Sequence, residues 1–183
     1  NARLANEQEQ TVNRLTALNA LSLTVTTTQL STDEIMQMTV GGAIGTTNGL
    51  GGGAFVRGRD DTIRRLVLDL PSGSDAALVP WLEPITADYF ELVDTEVPPD
   101  LKAAGVNSVL IVPVRGAKLT LGSLWIGYSD TLLAPTEREM AVLYAKTAGA
   151  VLENLRLFDQ VSASHDRLAS ILASTAEGMV MAT

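Results

Sequence analysis

The stretch Asn107–Tyr128, NSVLIVPVRGAKLTLGSLWIGY, decides the fold. Val109–Val112 is an unbroken apolar run too short for an ordinary helix, and residues 119–128 are rich in Leu, Trp, Ile and Tyr. A short break at Arg115-Gly116-Ala117 separates the two runs, so the pattern predicts a β-hairpin that is buried on both faces. A sheet covered on both faces needs helices on at least one side.

Helices are predicted on both sides of this hairpin in the sequence. Residues 4–29 contain few helix breakers, and Leu15 and Leu18 belong to a stripe with alternating three- and four-residue steps. This helix either lies only on its own sheet or also pairs with a partner chain, and the two arrangements are compatible. A second helix is predicted to begin at Thr32, after a capping box at residues 31–34, and to end at Gly45.

The last helix is predicted to extend beyond the domain. Thr136 and Glu139 have capping-box spacing, and apart from Gly149 no glycine or proline interrupts the chain before Gly178. A helix from residue 136 to about residue 174 would be about 58 Å long at 1.5 Å per residue, so its second half must project.

Two apolar seams compete along the projecting helix. They are Leu157, Val161, Ser164, Leu168 and Ile171, and Ala148, Val151, Leu155, Phe158 and Ser162. A single projecting helix this apolar is poorly stable in water, so a parallel coiled-coil homodimer is the economical solution. The residues predicted to form the dimer helices are Leu15, Leu18, Val151, Leu155, Phe158 and Val161.

Glycines at positions 49–53 precede a strand rather than opening a helix, and no GxxxxGK[ST] pattern follows, so the spacing argues against a phosphate loop. The glycines instead favour a strand that allows close approach of backbone, with a helix as the candidate neighbour. The charged residues 57–61 predict a hairpin turn that leads into a second strand over residues 62–70.

Residues 71–106 are irregular and rich in proline, with short helices predicted at residues 76–81 and 99–104. Aromatic residues make up only 4% of the chain, and most lie here or in the neighbouring strands. A pocket under this segment is therefore the candidate ligand site, although each of these side chains also fits a role in the core. The candidate pocket residues are Phe55, Trp81, Tyr89, Phe90, Ser108 and Trp125.

Composition excludes several classes of function. The 183-residue chain carries a formal net charge of −8, which argues against nucleic-acid binding, and no apolar run is long enough to span a membrane. There is no cysteine, which excludes disulfides and thiolate sites and fits a cytoplasmic location. The single histidine, His165, has no Ser-His-Asp set around it, so an enzyme is not expected.

Three segments resemble GAF domains, the small-molecule sensor modules of signalling proteins. NSVLIVPV at residues 107–114 is similar to the family's serine-apolar-proline strand, GSLWI at 122–126 to its G-x-L strand, and VLENLRLF at 151–158 to its closing helix. The resemblance implies an α+β GAF-like fold: an antiparallel sheet of about five to six strands, with the terminal helices on one face and short helices and loops on the other. Residues 167–181 resemble the opening of a PAS domain, whose first helix and following strand read L-x-x-I-L-x-S-x-x-D/E-G-[IV]-[IV]; the strand would begin after Gly178.

The resemblance implies a domain order and a role. Residues 1–30 would form a signalling helix, 31–158 the GAF domain, and 159–183 a connecting helix with the start of a PAS domain. The implied function is a non-catalytic sensor domain, from a histidine kinase or a related regulator, that binds a small ligand. The alternative is a ligand-free spacer that dimerises and transmits a signal. No bilin is expected, since its attachment in this family needs a cysteine. No haem is expected, because His165 lies outside the domain.

Overall fold

A computed structural model of the chain describes residues 3–9, 31–58, 60–82 and 86–181. Residues 3–9 are helical, and the rest of the helix predicted over 4–29, including Leu15 and Leu18, lies outside the described residues. The elements that follow are α1 (Thr32–Thr47), β1 (Gly51–Arg57), β2 (Ile63–Leu68), α2 (Val79–Leu82), β3 (Phe90–Val93), α3 (Pro99–Ala103), β4 (Ser108–Arg115), β5 (Thr120–Tyr128) and α4 (Pro135–Met181), with 3-10 turns at Ala76–Leu78 and Asp94–Glu96.

The described strands form one antiparallel sheet in the order β2-β1-β5-β4-β3. The predicted hairpin is β4–β5, with Ile111 opposite Trp125, and it occupies the interior of the sheet. Nearly every residue of these two strands is buried. The predicted central hairpin and the predicted α+β class are therefore confirmed.

The two faces of the sheet carry separate cores. On the helix face, Leu110, Leu124 and Ile126 pack against α1 and α4. On the opposite face, Ile111 and Trp125 pack with residues of the irregular segment, which include Leu78, Leu82, Leu92, Val97 and Leu101. Alternation along each strand separates the two sets, because successive side chains point to opposite faces.

The end of α1 was predicted wrongly. The helix passes Gly45 and continues to Thr47, and Asn48 adopts the left-handed conformation with φ 56° that ends it. Threonine is a poor helix former, but the hydroxyl of Thr47 donates to the carbonyl of Ala43 at 2.6 Å, within the helix. Asn48 replaces glycine as the terminator because asparagine tolerates left-handed backbone better than most residues.

The last helix begins before its predicted capping residue, Thr136. Helix α4 begins at Pro135, so Thr136 lies inside its first turn. The carboxylate of Glu137 accepts from the backbone N–H of Ala134 at 3.2 Å, and this contact takes the place of the predicted pairing of Thr136 with Glu139. Proline suits the first helical position because its missing N–H would have no helical partner there.

Helix α4 is 47 residues long, which corresponds to about 70 Å. It packs on the helix-face core as far as Leu155, and residues 157–179 are exposed throughout. The predicted projecting half is therefore confirmed, and it is longer than expected. Among the described helices, none is both long and apolar enough to cross a bilayer.

Candidate functional site

Two of the predicted pocket residues form the centre of the opposite-face core. Phe55 and Trp125 are 3% and 1% exposed and belong to one cluster of buried side chains. Gly53 makes room for the indole, since a Cβ at this position would lie 2.6 Å from Trp125 Nε1. The same Cβ would lie 2.3 Å from the carbonyl oxygen of Leu66 in β2. The predicted close approach of backbone to the glycine-rich strand is thus made by a neighbouring strand and not by a helix.

The other predicted pocket residues lie elsewhere. The rings of Trp81 and Phe90 stack with centroids 5.5 Å apart on the surface of the opposite face, and both are partly exposed. Tyr89 lies beside α4, with the Arg138 guanidinium 5.7 Å from its ring centroid. Ser108 is opposite Tyr128 on the helix face, where its hydroxyl donates to the carbonyl of Asp130 at 2.6 Å. The structure therefore does not bring these six residues into one pocket.

Two arginines that sequence reasoning missed hold the segment before β3. Arg115, at the end of β4, donates to the carbonyls of Thr86 and Ala87 at 2.8 and 2.9 Å. Arg138, in the first turns of α4, pairs with Glu91 of β3, and this bond raises the pKa of Arg138. Arg138 thereby ties β3 to the helix that leaves the domain, and Arg115 ties the segment before β3 to β4.

A groove of about 430 Å³ lies where this segment meets α4. Tyr89 and Arg138 line it together with Val142, Leu143 and Lys146. Its volume is within the range of ligand sites, but its charged side chains are of both signs, since Asp88 and Glu139 also line it. The groove therefore selects no particular charge.

A second cleft, of about 540 Å³, lies at the end of the sheet. The end of β1 contributes Phe55 and Arg57, α2 contributes Leu82, and α4 contributes Arg156. The Arg156 guanidinium donates to the carbonyl of Arg57, which connects α4 to the strand end across the cleft. This sheet-end cleft combines an apolar interior with cationic side chains.

The buried polar side chains on the sheet have structural roles in the described part of the chain. Within the described residues, no three His, Asp or Glu side chains are grouped so as to hold a metal ion. The polar side chains that are buried on the sheet have structural partners, as when Ser123 Oγ donates to the carbonyl of Leu82 at 2.6 Å. The described site thus offers surfaces for a ligand and couplings to α4.

Comparison with known proteins identifies the fold. No protein-family model matches the sequence, and no curated protein sequence matches it. Among solved structures, a GAF domain assigned to a sensor histidine kinase of Pseudomonas syringae pv. tomato matches with a TM-score of 0.68 at 21% identity, covering 90% of this chain and 99% of that one. The fold is GAF-like.

Two further structures have the same GAF-like fold. The GAF domain of an Acinetobacter phosphoenolpyruvate-protein phosphotransferase matches with a TM-score of 0.56 at 13% identity, covering 80% of this chain and 97% of that one. The phycoerythrobilin-bound GAF domain of a cyanobacterial phytochrome matches with a TM-score of 0.58 at 14% identity, covering 79% and 96%. At these identities the likeness establishes the fold of the chain.

Proposed function

We propose that this chain is a cytoplasmic, non-catalytic regulatory domain of a signal-transduction protein of the sensor histidine kinase type. Two copies pair through their N-terminal helices and through α4, and a change in the domain alters the arrangement of the paired helices. Support comes from the GAF-like fold, which one of the matched structures carries in a sensor histidine kinase. A ligand acts on such a pair by binding one arrangement more tightly, and coupling of about 1–3 kcal/mol is usual.

The observation that carries this proposal is the projecting half of α4. Its first seam is exposed along its length, at 54% for Leu157, 68% for Val161, 60% for Leu168 and 53% for Ile171. Such a stripe is unfavourable in water, and pairing with a second copy at heptad spacing would bury it.

Contacts within the chain favour the first seam over the second. Ala148, at the start of the second seam, is buried, and Val151 and Leu155 pack against the helix-face core of their own chain. These three positions are therefore already occupied at the domain end of α4. Phe158, which follows them, is 59% exposed.

Disulfide cross-linking tests the pairing, because the chain contains no cysteine of its own. Leu168→Cys places a thiol on the first seam, and Ser170→Cys places one outside both seams. In a parallel pair in register, the two thiols introduced by L168C face each other within bonding distance. Mild oxidation should therefore link L168C chains much faster than S170C chains, as read from non-reducing gels at equal concentration.

Equal linking of the two variants would contradict the paired helix. The second seam, continued from Ser162 at the same three- and four-residue steps, passes through residues 165, 169 and 172, so Leu172→Cys is its matched probe. Faster linking of L172C than of L168C would keep the dimer and assign it to the second seam.

We also propose that residues 167–181 lead into a PAS domain. Support is the resemblance of this segment to the opening of that domain. Residues 178–181 are helical in this chain, whereas the resemblance implies a strand there. A strand needs a sheet to pair with, so this part of the proposal requires the following domain to be present.

A ligand-free spacer is the second candidate function, and one observation favours it. Phe55 and Trp125, at the centre of the predicted pocket, are packed with Leu78 and Leu82 in the core. Native mass spectrometry of freshly purified protein distinguishes the two functions. A compound retained in stoichiometric amount would support the sensor, and chains of unmodified mass alone would support the spacer.

A further inference from the structure

We propose that the sheet-end cleft binds a small ligand with an anionic group on an apolar body. The inference rests on the proposed sensor function only in that the ligand would be its signal. The cleft differs from the pocket predicted over the opposite face, with which it shares Phe55. Its volume of about 540 Å³ is within the 300–1,000 Å³ usual for small-molecule sites.

The apolar part of the ligand is indicated by the interior of the cleft. Phe55, Leu82 and Leu121 line it as part of the packed cores, and Leu119, which is 68% exposed, supplies accessible apolar surface. Phe55 and Leu82 belong to the opposite-face core and Leu121 to the helix-face core, so these walls of the cleft are formed without a ligand. An alkyl or aryl group placed here would replace water against a preorganised apolar surface.

The anionic part is indicated by the charged lining. Arg57 and Arg156 are the charged side chains among the described residues that line the cleft, although the chain as a whole carries a net charge of −8. Guanidinium groups match carboxylates and phosphates with paired hydrogen bonds. Arg57 pairs with Asp61 at 3.3 Å, but the Asp61 side chain is 81% exposed, so a ligand anion competes with a weak surface pair.

The position of Arg156 connects the cleft to the projecting half of α4. Arg156 directly precedes Leu157, where the exposed seam of α4 begins. A ligand that contacts Phe55 and Arg156 would join the sheet to the base of the projecting helix. Binding would therefore act at the point where α4 leaves the domain.

Three compounds with one apolar body separate the two parts of this inference: octanoate, octyl phosphate and octan-1-ol. Titration calorimetry on the whole chain, with each compound below its micelle concentration, should show at least one anion binding about tenfold more tightly than the alcohol. Comparison of octanoate with octyl phosphate distinguishes a carboxylate ligand from a phosphate ligand. Saturable binding of neither anion, or equal binding of the alcohol, would overturn the proposal.

Arginine variants locate the site. Arg57→Gln and Arg156→Gln should each weaken binding of the anion about tenfold and leave octan-1-ol unchanged. Arg167→Gln is the matched control, because it removes the same charge from the exposed part of α4. Anion affinities of the two cleft variants equal to that of R167Q would refute the cleft.

The folding of both cleft variants must be checked. Arg156 bonds the backbone of Arg57, so R156Q could unfold the domain, whereas the Arg57 side chain is 46% exposed and its loss should be tolerated. Circular dichroism melting checks both, and R57Q decides the question if R156Q unfolds. Calorimetry detects binding whether or not the chains pair, and disulfide cross-linking detects pairing without added ligand. Failure of one proposal is thus separable from failure of the other.

Discussion

At the scale of single residues, the Tyr128 hydroxyl connects the sheet to α1. It donates to Thr47 Oγ1 at 2.8 Å, and Thr47 in turn donates to the carbonyl of Ala43. Burial raises the pKa of Tyr128 from its ordinary 10.0 to about 12. The hydroxyl is therefore held protonated in the folded chain.

This raised pKa predicts a loss of stability at high pH. Between about pH 10 and 12 the unfolded chain releases the Tyr128 proton more readily than the folded chain does. The folded chain therefore holds more protons, and the free energy of unfolding falls as pH rises. By pH 11 the contribution lost should be roughly 1 kcal/mol relative to pH 8.

Urea denaturation at pH 8 and pH 11 measures this loss. Tyr128→Phe should lack this part of the pH dependence, and at pH 8 it should be about 1 kcal/mol less stable through loss of one hydrogen bond. Tyr89→Phe, which removes a hydroxyl from a partly exposed ring, is the control. An unchanged pH dependence in Y128F would refute the assignment to Tyr128.

Residue patterns in the sequence predicted the core better than the pocket. The aromatic count correctly drew attention to Phe55 and Trp125, but burial alone does not separate a ligand-lining ring from a packed one. Ser108 could have been placed by alternation, since it shares a face with Leu110 and Val112, opposite to Ile111. The contacts of Arg115 and Arg138 join residues distant in sequence, and no local sequence pattern predicts such contacts.

At the scale of elements, α1 and α4 pack closely at Gly42. A Cβ at this position would lie 2.7 Å from Tyr144 Cε1, and the Tyr144 ring is buried between the helices. The hydroxyls of Thr46 and Tyr144 are 3.1 Å apart in the same contact. The missing side chain at Gly42 thus sets the spacing of the two helices.

Two alanine substitutions in α1 test this spacing. Gly42→Ala should destabilise the chain by about 1–3 kcal/mol, because the added methyl group displaces a packed ring. Gly41→Ala adds the same methyl group where nothing lies within 4 Å, and it should stabilise the helix by up to about 1 kcal/mol. Urea midpoints compare the two variants. Equal stability of G42A and G41A would contradict the claim that contact with Tyr144 sets the spacing of the two helices.

Elements with strong local signals were predicted, and those set by tertiary contacts were not. The β4–β5 hairpin and the projecting helix follow from apolar runs and the scarcity of breakers. The capping box at Ser31 is confirmed, with both of its hydrogen bonds formed. Strand β3 was left inside an irregular segment, because its four residues form a strand only by pairing with β4.

At the scale of the whole molecule, the covered core of the sheet and the exposed seam of α4 both favour pairing of two copies. The sheet core is closed on both faces by helices and short turns, whereas the half of α4 beyond it exposes an apolar seam to water. A domain with its own complete core does not need this seam for folding. We propose that a second copy buries this seam. Arg138, which bonds Glu91, and Arg156, which bonds the Arg57 carbonyl, connect the domain to the helix.

The mass of the protein in solution tests that account most directly. Sedimentation equilibrium of the whole chain should give twice the 19.4 kDa of one copy. The variant V161D/L168D, which places like charges on the seam, should sediment as one copy with the fold retained by circular dichroism. A single-copy mass for the unsubstituted chain across the concentration range, or an unchanged dimer for the variant, would contradict the paired helix.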